Sequence, residues 1–338
     1  MNITLYESAS LFDDWCAEWG ELLADSAANQ IFLTCEWQAA WWKAYHPGEI
    51  WILVLRDDDG QWLGIAPWFR ATDDDGTRVI RTIGCVDVTD YLDIIARHGY
   101  EDAVYEALAA WLAGHTGDFD VIQLCNIPES SRALERFPSF AREHGLAANV
   151  RLQEVCPIVA LPDRFEDYLA SLDKKNRHEL RRKLRRAAGQ VDWYIVGPDH
   201  DLDAEMARFL TLMAASSPDK TVFLEDTQNQ DFFRLMVPEM AERGWLQLAF
   251  LTVNGNPAAA YLNFDYLNRI LVYNSGLNPD DHGSLSPGII LLARLIEHAI
   301  SHRRREFDFL RGDESYKYHM GGQDTKVFQI EIDAAAGK

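Results

Sequence analysis

The sequence predicts a mixed α/β fold that occurs twice along the chain. Its 338 residues exceed the usual length of one domain and suggest about two. Hydrophobic residues make up 48% of the chain, which is enough for packed cores. Hairpin strands, a helix and a further strand follow one another in the first half and again in the second. This repeated order is typical of a duplicated α/β domain.

In the first half, helical and alternating spacings of apolar residues predict helices and strands. The predicted helices cover residues 10–24, 35–45, 101–113 and 130–144. The predicted strands cover residues 50–56, 62–70, 78–84, 90–95, 119–124 and 150–160. Asp58-Asp59-Gly60 and Asp74-Asp75-Gly76 are hairpin-turn sequences. Trp37, Trp41 and Trp42 fall on one predicted helix, and we interpret them as core anchors and not as ligand-stacking residues.

The second half predicts a meander of strands 246–253, 257–265 and 269–275, then a helix at 287–302 and a strand at 307–310. Between the halves, residues 171–186 predict an amphipathic helix with eight Lys or Arg against two acids. Leu172, Leu180 and Leu184 share its apolar face. Two interpretations stay open for the basic face: a solvated surface, or a surface that binds phosphate.

The net charge of −21 repels nucleic acids unless a contact is local, so DNA is not expected and tRNA is disfavoured as a partner. The five cysteines, at positions 16, 35, 85, 125 and 156, lack metal-ligand spacing, and we interpret them as reduced core residues. No apolar run reaches the length of a membrane span, and the N-terminus shows no signal sequence. We therefore expect a soluble, cytoplasmic protein without a metal site.

The densest group of polar and aromatic side chains lies near the C-terminus. Arg311-Gly312-Asp313 breaks a predicted strand, and two Tyr, a Lys and a His follow before Gly321-Gly322. Loops at the ends of rigid strands often carry chemistry. The alternative is a loop whose Arg and Tyr only cap the end of a sheet. We favour a functional site.

A helix start upstream of this loop offers a site for phosphate. Ser286 suits the N-cap and Pro287 the first helical position. Free N–H groups and the helix dipole at such an end bind pyrophosphate. Asp90, Tyr91 and Asp93 form a further polar group in the first half. No Gly-x-Ser-x-Gly elbow and no metal-ligand spacing occur, which argues against a serine hydrolase and against metal catalysis.

These motifs resemble the GNAT-type acyltransferases described beside cellulose or exopolysaccharide biosynthesis, and are more distantly similar to the FemABX peptidyltransferases. The resemblance covers nearly the whole chain and implies two tandem GNAT-like (acyl-CoA N-acyltransferase) domains, at residues 1–157 and 158–324, with the last strand in 325–338 returning to the first. Its motifs are Phe32-Leu33-Thr34-Cys35-Glu36-Trp37 with Trp41-Trp42, Asp90-Tyr91-Leu92, Lys174-Lys175-Asn176-Arg177, Ser286-Pro287-Gly288, Asp308-Phe309 with Arg311-Gly312, Tyr316-Lys317 and Gly321.

The resemblance implies acetyl-CoA or another acyl-CoA as the donor substrate. The residues expected to bind it take the place of the GNAT pyrophosphate loop and are Gly283, Ser284, Ser286, Pro287 and Gly288. This segment departs from the common loop, because a single Gly precedes the helix with Ser-Pro. The expected catalytic residues are Lys317, which matches an aromatic-Lys pair of the FemABX relatives, and the proton acceptors Asp90 and Asp313. The expected substrate-binding residues are Tyr91, Arg177, Arg311 and Tyr316.

The leading hypothesis is an N-acyltransferase that moves an acyl group, acetyl first, from acyl-CoA to an amine of a sugar, peptide or small metabolite. Such a reaction needs alignment of amine and carbonyl, removal of one proton and stabilisation of an oxyanion. Two alternatives stay open. One is FemABX-like peptidyl transfer from aminoacyl-tRNA, which the basic helix favours and the net charge opposes. The other is a non-catalytic accessory subunit in polysaccharide biosynthesis.

Overall fold

The computed structural model describes residues 1–85, 88–278 and 285–334. Contacts divide the chain into two compact units, Met1–Val155 with Thr325–Lys338, and Cys156–Asp324. Both units combine sheets with helices, so the predicted mixed α/β class is confirmed. Within the described ranges, no helix combines the length and the apolar character that crossing a membrane requires.

The first unit contains most of the predicted elements. Its helices are α1 (Leu11–Asp14), α2 (Cys16–Ala24), α3 (Cys35–Tyr45), α4 (Glu101–Ala113) and α5 (Ala133–Glu143). Its strands are β1 (Asn2–Tyr6), β2 (Glu49–Ile50), β3 (Ile52–Arg56), β4 (Trp62–Ala66), β5 (Trp68–Thr72), β6 (Arg78–Thr82), β7 (Ile95–Ala96), β8 (Val121–Pro128) and the first part of β9 (Ala147–Ala160), together with most of β15 (Gln323–Asp333). The predicted helices 35–45 and 101–113 are confirmed.

Two sheets form this unit, one with the order β1-β3-β4-β7 and one with the order β2-β5-β6-β8-β15-β9. The parallel pair β6 and β8 spans three residues on each strand, Val79 to Arg81 and Val121 to Gln123. Helix α4 lies between these strands in sequence and buries Val104, Tyr105 and Leu108. Trp37 and Trp41 are fully buried and Trp42 is nearly so, which confirms them as core anchors.

Two predictions for this unit were wrong. Residues 90–94 form no strand, because their backbone joins no regular ladder: the Leu92 N–H donates to the Asn126 carbonyl at 3.0 Å, and the pairing with β4 is limited to Ile95 and Ala96. The predicted strand 62–70 is two strands interrupted at Pro67, since proline has no N–H to donate to a ladder.

The prediction of five reduced cysteines is also wrong for four of them. The structure joins Cys16 to Cys35, with Cα atoms 5.4 Å apart, and Cys85 to Cys125, 6.1 Å apart, as disulfides. Parallel pairing of β6 with β8 brings the second pair together across 40 residues of sequence, which spacing alone does not reveal. Cys156 is buried and forms no disulfide with the cysteines of the described ranges. Since the cysteines no longer indicate a reducing compartment, a cytoplasmic location stays a prediction.

The second unit contains α6 (Phe165–Ser171), α7 (Lys174–Ala187), α8 (Leu202–Ser216), α9 (Pro218–Glu225), α10 (Thr227–Glu242), α11 (Pro287–Ser301) and α12 (Ser315–His319). Its strands are β10 (Val191–Ile195), β11 (Leu246–Val253), β12 (Asn256–Tyr266), β13 (Arg269–Leu277) and β14 (Glu306–Asp308), paired in that order, with the end of β9 beside β14. The predicted meander and the helix after it are confirmed. The elements from β10 to α10 were not predicted.

Helix α11 fills the centre of this unit because apolar residues surround most of it. Ile290, Leu291, Leu295 and Ile296 are buried against residues of the meander, including Leu251. Helix α8 packs against β13 so closely that Gly276 faces its backbone directly. A Cβ at Gly276 would lie 2.5 Å from the Met213 nitrogen and 2.7 Å from the Leu212 carbonyl carbon.

We therefore expect Gly276→Ala to lower the free energy of unfolding by roughly 1–3 kcal/mol, because backbone atoms cannot move aside as a side chain can. Gly20→Ala is the matched control, since nothing lies within 4 Å of its Cβ position in α2. The control substitution should raise the free energy of unfolding by up to about 1 kcal/mol, because alanine has a higher helix propensity than glycine. Urea unfolding of both variants checks this, and equal stabilities would contradict the close packing of α8 on β13.

Candidate active site

The candidate site begins where two parallel strands of the second unit separate. Strand β14 pairs with β13 over three positions only, Arg269 with Glu306 through Leu271 with Asp308. Residues 272–277 of β13 continue beyond the last pair, and among the described residues no strand pairs with them on that side. A strand edge of this kind presents N–H and C=O groups to an extended ligand.

Helix α11 starts near this open edge. Pro287 occupies the first helical position as predicted, and the position of a Cβ on Gly288 lies 3.7 Å from both the Tyr261 hydroxyl and the Leu277 side chain. Ser286 is at the N-cap, but its backbone is left-handed (φ 55°) and its side chain makes no capping hydrogen bond. Ser286 therefore stands at the predicted N-cap position but does not cap the helix through its side chain, because its backbone is left-handed and not extended as in a usual N-cap. Gly283 and Ser284 lie outside the described residues.

The Lys317 turn (residues 309–314) follows β14 and is held by a buried ammonium group. Lys317 is 2% exposed, and its Nζ donates to the carbonyl oxygens of Leu310 (3.2 Å), Arg311 (2.6 Å) and Gly312 (3.1 Å). The Glu314 carboxylate lies 2.9 Å from the same nitrogen. The ammonium thus gives three backbone carbonyls of the turn a charged hydrogen-bond donor. Lys317 therefore positions the turn.

The other predicted residues of this turn, Arg311 and Asp313, differ in their exposure. Asp313 is exposed, and Arg311 is partly exposed while its carbonyl accepts from Lys317. Gly312 adopts a φ of 108°, which glycine reaches without steric cost. Leu310 also has a positive φ, of 57°, and its N–H donates to the fully buried Asp308 at 2.8 Å. Because two successive backbone constraints meet here, the turn has one well-defined shape.

Two tyrosines line the region between the turn and the start of α11. Burial raises the pKa of the Tyr316 phenol, and the nearby charge of Glu314 raises it further. Burial likewise raises the pKa of the Tyr261 phenol, with a smaller contribution from Tyr316. Both phenols therefore stay protonated at neutral pH and keep a hydrogen to donate.

A lysine that the sequence analysis missed reaches the open edge of β13. Lys220 follows the N-cap Ser217 of α9, and its Nζ donates to the backbone carbonyl of Ser275 and, at 3.3 Å, to the Ser275 hydroxyl. Burial lowers the pKa of Lys220 to about 8, while the Glu314 charge acts in the opposite direction. No local motif marks this lysine, since its partner is 55 residues away. A lysine that loses its proton near neutral pH is able to act as a base.

The basic helix α7 contributes to a neighbouring cavity of about 230 Å³. Lys175 and Lys183 line it together with Ile289 of α11 and His319 of α12. Other basic residues of α7 are used within the unit, because Arg181 pairs with Glu166 at 2.9 Å. Ion pairs also join Arg182 and Lys183 to Glu179, at 2.7 and 3.9 Å.

The predicted substrate residue Arg177 caps the preceding helix, because its guanidinium donates to the carbonyl oxygens of Ala170 (2.9 Å) and Leu172 (3.4 Å) at the end of α6. Asp90 and Tyr91 belong to the first unit. There Tyr91 is buried and contacts Phe32, with ring centroids 6.0 Å apart. The second unit thus brings together Pro287, Gly288 and Tyr316 around the open edge, with Lys317 beneath the turn.

Comparison with known proteins assigns part of the second unit to a family model. Residues 174–318 match the model described as an acetyltransferase (GNAT) domain. No curated protein matches the chain. Solved structures are similar over almost the full length. FemX aligns with a TM-score of 0.64 at 10% identity, covering 97% of each chain.

Two further structures extend this similarity. L-PGS from Bacillus licheniformis has a TM-score of 0.56 at 10% identity, covering 93% of this chain and 90% of its own. A tandem GNAT protein from the clavulanic acid biosynthesis pathway has a TM-score of 0.50 at 13% identity, covering both chains fully. At these identities the likeness concerns the fold, and the predicted tandem GNAT-like fold is confirmed. Kinship with the polysaccharide-biosynthesis acetyltransferases stays a prediction.

Because Lys317 holds three carbonyls and one carboxylate, we expect Lys317→Met to lower the free energy of unfolding by roughly 2–3 kcal/mol, the usual cost of leaving buried polar groups unpaired. Hydrogen exchange should rise first in residues 309–314. The matched control is Lys174→Met, on the exposed surface of α7, which should leave both measurements within about 0.5 kcal/mol of wild type. An equally stable Lys317→Met variant with unchanged exchange would contradict the positioning role.

Proposed function

We propose that the second unit is an acyltransferase site that moves an acyl group, acetyl first, from acyl-CoA to an amine of a sugar, peptide or small metabolite. The observation that carries this proposal is the separation of β13 from β14 after three pairs, with the start of α11 beside the open strand. An extended donor with amide groups fits such an edge, and its phosphates fit the positive end of a helix. The GNAT family model over the same residues supports it.

In this proposal acyl-CoA binds along the open edge of β13 in a single orientation. Its amide-bearing arm lies along residues 272–277, where the Ser275 N–H already donates to the Asn274 side chain and the Ser275 carbonyl accepts from Lys220. Its pyrophosphate meets the free N–H groups of the first turn of α11 from Gly288 onwards, because Pro287 has no N–H to donate, with Gly283, Ser284, Ser286 and Pro287 as the predicted loop. The acyl carbonyl then lies towards the Lys317 turn. Tyr316 and Tyr261, as neutral phenols, donate hydrogen bonds to the oxyanion and to the departing thiolate. Arg311, on the same turn, binds an anionic group of the acceptor.

The chemistry needs one proton acceptor. An attacking amine loses a proton to the base as the C–N bond forms, and the C–S bond breaks to release CoA as a thiolate, which takes up one proton, so that no proton is gained or lost overall. Lys220 accepts this proton when its own amine is neutral, and it reaches the open edge through Ser275. Asp313 and Asp90 stay predicted alternatives for this base, and Tyr91 and Arg177 stay predicted substrate contacts. Lys317 contributes by fixing the turn and not by touching the oxyanion, since carbonyls and Glu314 surround its ammonium.

Aminoacyl-tRNA is the second candidate donor, and one observation favours it. Lys175, Lys183 and His319 line a cavity that also includes Ile289 in the first turns of α11, so positive charge is available next to the proposed donor site. FemX and L-PGS share the fold. The net charge of −21 opposes extended contact with RNA. A non-catalytic accessory subunit is the third candidate.

Acetyl-CoA should bind the full chain with micromolar affinity in calorimetry, and Gly288→Glu should weaken binding at least 10-fold, because a carboxylate at the start of α11 repels pyrophosphate. Gly288→Gln is the control for size, since it adds the same bulk without charge. This variant should lose much less affinity for acetyl-CoA. A Cβ is accommodated at this position, because its nearest neighbours lie at ordinary contact distances of 3.7 Å.

No binding of acetyl-CoA or longer acyl-CoAs would reject the CoA donor. Aminoacyl-tRNA is then titrated at several salt concentrations, and a steep decrease of affinity with salt would indicate phosphate contacts. Lys175→Gln with Lys183→Gln should reduce that salt dependence if the α7 cavity holds the phosphates.

The rate of acyl transfer (kcat/KM) should rise with pH through about 8 and then level off, because Lys220 must lose its proton before it accepts one from the amine. Lys220→Met should lower kcat/KM roughly 100-fold or more and remove this rise. Lys220→Arg separates the two roles of the residue, since arginine keeps the charge and the bond to Ser275 but stays protonated. Full activity of Lys220→Arg would exclude Lys220 as the base.

A further inference from the structure

We propose that a cavity in the first unit, beside Asp93, binds a small organic cation with an alkylammonium group. This Asp93 cavity has a volume of about 170 Å³ and is lined by Asp93, His98, Glu101, Tyr105, Ser131 and Arg132 among others. The proposal concerns binding alone and is independent of acyl transfer in the second unit.

The Asp93 cavity occupies the place in the first unit that the candidate donor site occupies in the second. Strands β6 and β8 are parallel and pair over three residues, as β13 and β14 do. The cavity lies at the first turns of α4, through Glu101 and Tyr105, and at the end of β8, through Pro128. The duplicated fold therefore leaves an opening at the same topological position twice.

The chemistry at this position differs between the units, because acids surround the start of α4. Glu101 and Asp102 stand in its first turn, and Asp93 faces the same cavity. These carboxylates repel a phosphate, although the positive end of the α4 dipole would otherwise attract one. The first-unit opening is thus unsuited to a pyrophosphate and suited to a cation.

Asp93 is the buried acid of this cavity. The residue is 6% exposed, and its Oδ1 accepts from the Ile94 N–H at 2.8 Å. Burial raises the pKa of Asp93 to about 7, while hydrogen bonds from Ser131 and Ile94 act in the opposite direction. A buried carboxylate gains most from a cation placed against it, since water does not screen the pair.

The other charged groups facing Asp93 leave the cavity without a free positive charge of its own. Arg132 is held by Asp102 through two hydrogen bonds of 2.8 Å, and this pair lowers the pKa of Asp102 to about 2. From α4, Glu101 adds a carboxylate and Tyr105 a neutral phenol, whose pKa is raised by burial first and by the charge of Asp93 second. His98, at the exposed end, pairs with Glu101 at 3.6 Å.

Size limits the ligand to a few atoms. A cavity of about 150 Å³ is known to hold benzene, so about 170 Å³ accepts an alkylamine of four to six heavy atoms. The apolar part of the wall, which includes Ala28, Ile94 and Ala96, suits the alkyl chain. The ammonium group then lies against Asp93, with the Ser131 hydroxyl beside it.

Binding should be linked to protons in a defined direction. Below pH 7 Asp93 carries a proton, which the cation displaces, so affinity falls as the pH is lowered from 8 to 6. Each bound ammonium releases up to one proton at pH 6.5, and the measured enthalpy then depends on the ionisation enthalpy of the buffer.

The test is calorimetry of the full chain with n-butylamine in 0.15 M salt, which screens the general attraction of an acidic protein for cations. The expected result is one site per chain, with proton release at pH 6.5 and at least 10-fold weaker binding in Asp93→Asn. Glu129→Gln is the matched control, because it removes one negative charge from an exposed position on the loop after β8 and should bind normally. Butan-1-ol, which has the same shape without charge, should not bind.

Three outcomes would overturn the proposal: no binding of butylamine, equal binding of butan-1-ol, or unchanged affinity in Asp93→Asn. Wild type alone decides the first two, so the test stands even if Asp93→Asn does not fold. His98→Gln tests whether proton release depends on Asp93 alone, because the release should persist in this variant. Release that disappears with His98 would assign it to the imidazole and reject the role of Asp93.

Discussion

The ammonium of Lys317 lies beneath a turn and donates to three of its backbone carbonyls, those of Leu310, Arg311 and Gly312. It is 2% exposed, and a carboxylate, Glu314, completes its surroundings. A buried charge is tolerated only where hydrogen bonds and an opposite charge surround it, and both are present here. Tyr316 directly precedes Lys317 on α12, so the phenol and the ammonium belong to the same short helix. The lysine that the sequence matches to a catalytic position thus donates to backbone carbonyls in the structure.

The duplicated fold provides the same framework twice and fills it differently. In each unit a parallel strand pair of three residues is followed by an opening next to a helix start. The second unit surrounds its opening with Lys220, Tyr261 and Tyr316, groups that donate or exchange protons. The first unit places Asp93 and Glu101 at its opening. Duplication of a fold therefore preserves the backbone arrangement while side chains decide which ligand charge each opening accepts.

Most elements were predictable because their signals are local. The helices 35–45 and 101–113, the three-stranded meander and the apolar helix after it follow from residue spacing within short windows. Local signals failed where the backbone departs from its usual conformation. Ser286 has the residue type of an N-cap but a left-handed backbone, and residues 90–94 have the alternation of a strand but do not form one in the structure. Pairing of Cys85 with Cys125 depends on neighbouring strands and has no counterpart in sequence spacing.

The sequence by itself determined the mixed α/β class, the repeated order of elements, the tryptophan anchors and the turn that carries Tyr316 and Lys317. The tertiary structure alone decided which groups work together. It places Lys220 beside Ser275, which is 55 residues away in sequence. It buries Asp93, which raises the pKa of that carboxyl to about 7, and it surrounds the Lys317 ammonium with backbone carbonyls. The physical reason is that desolvation and charge proximity depend on distances in space, and distances between residues far apart in sequence are set only when the chain packs.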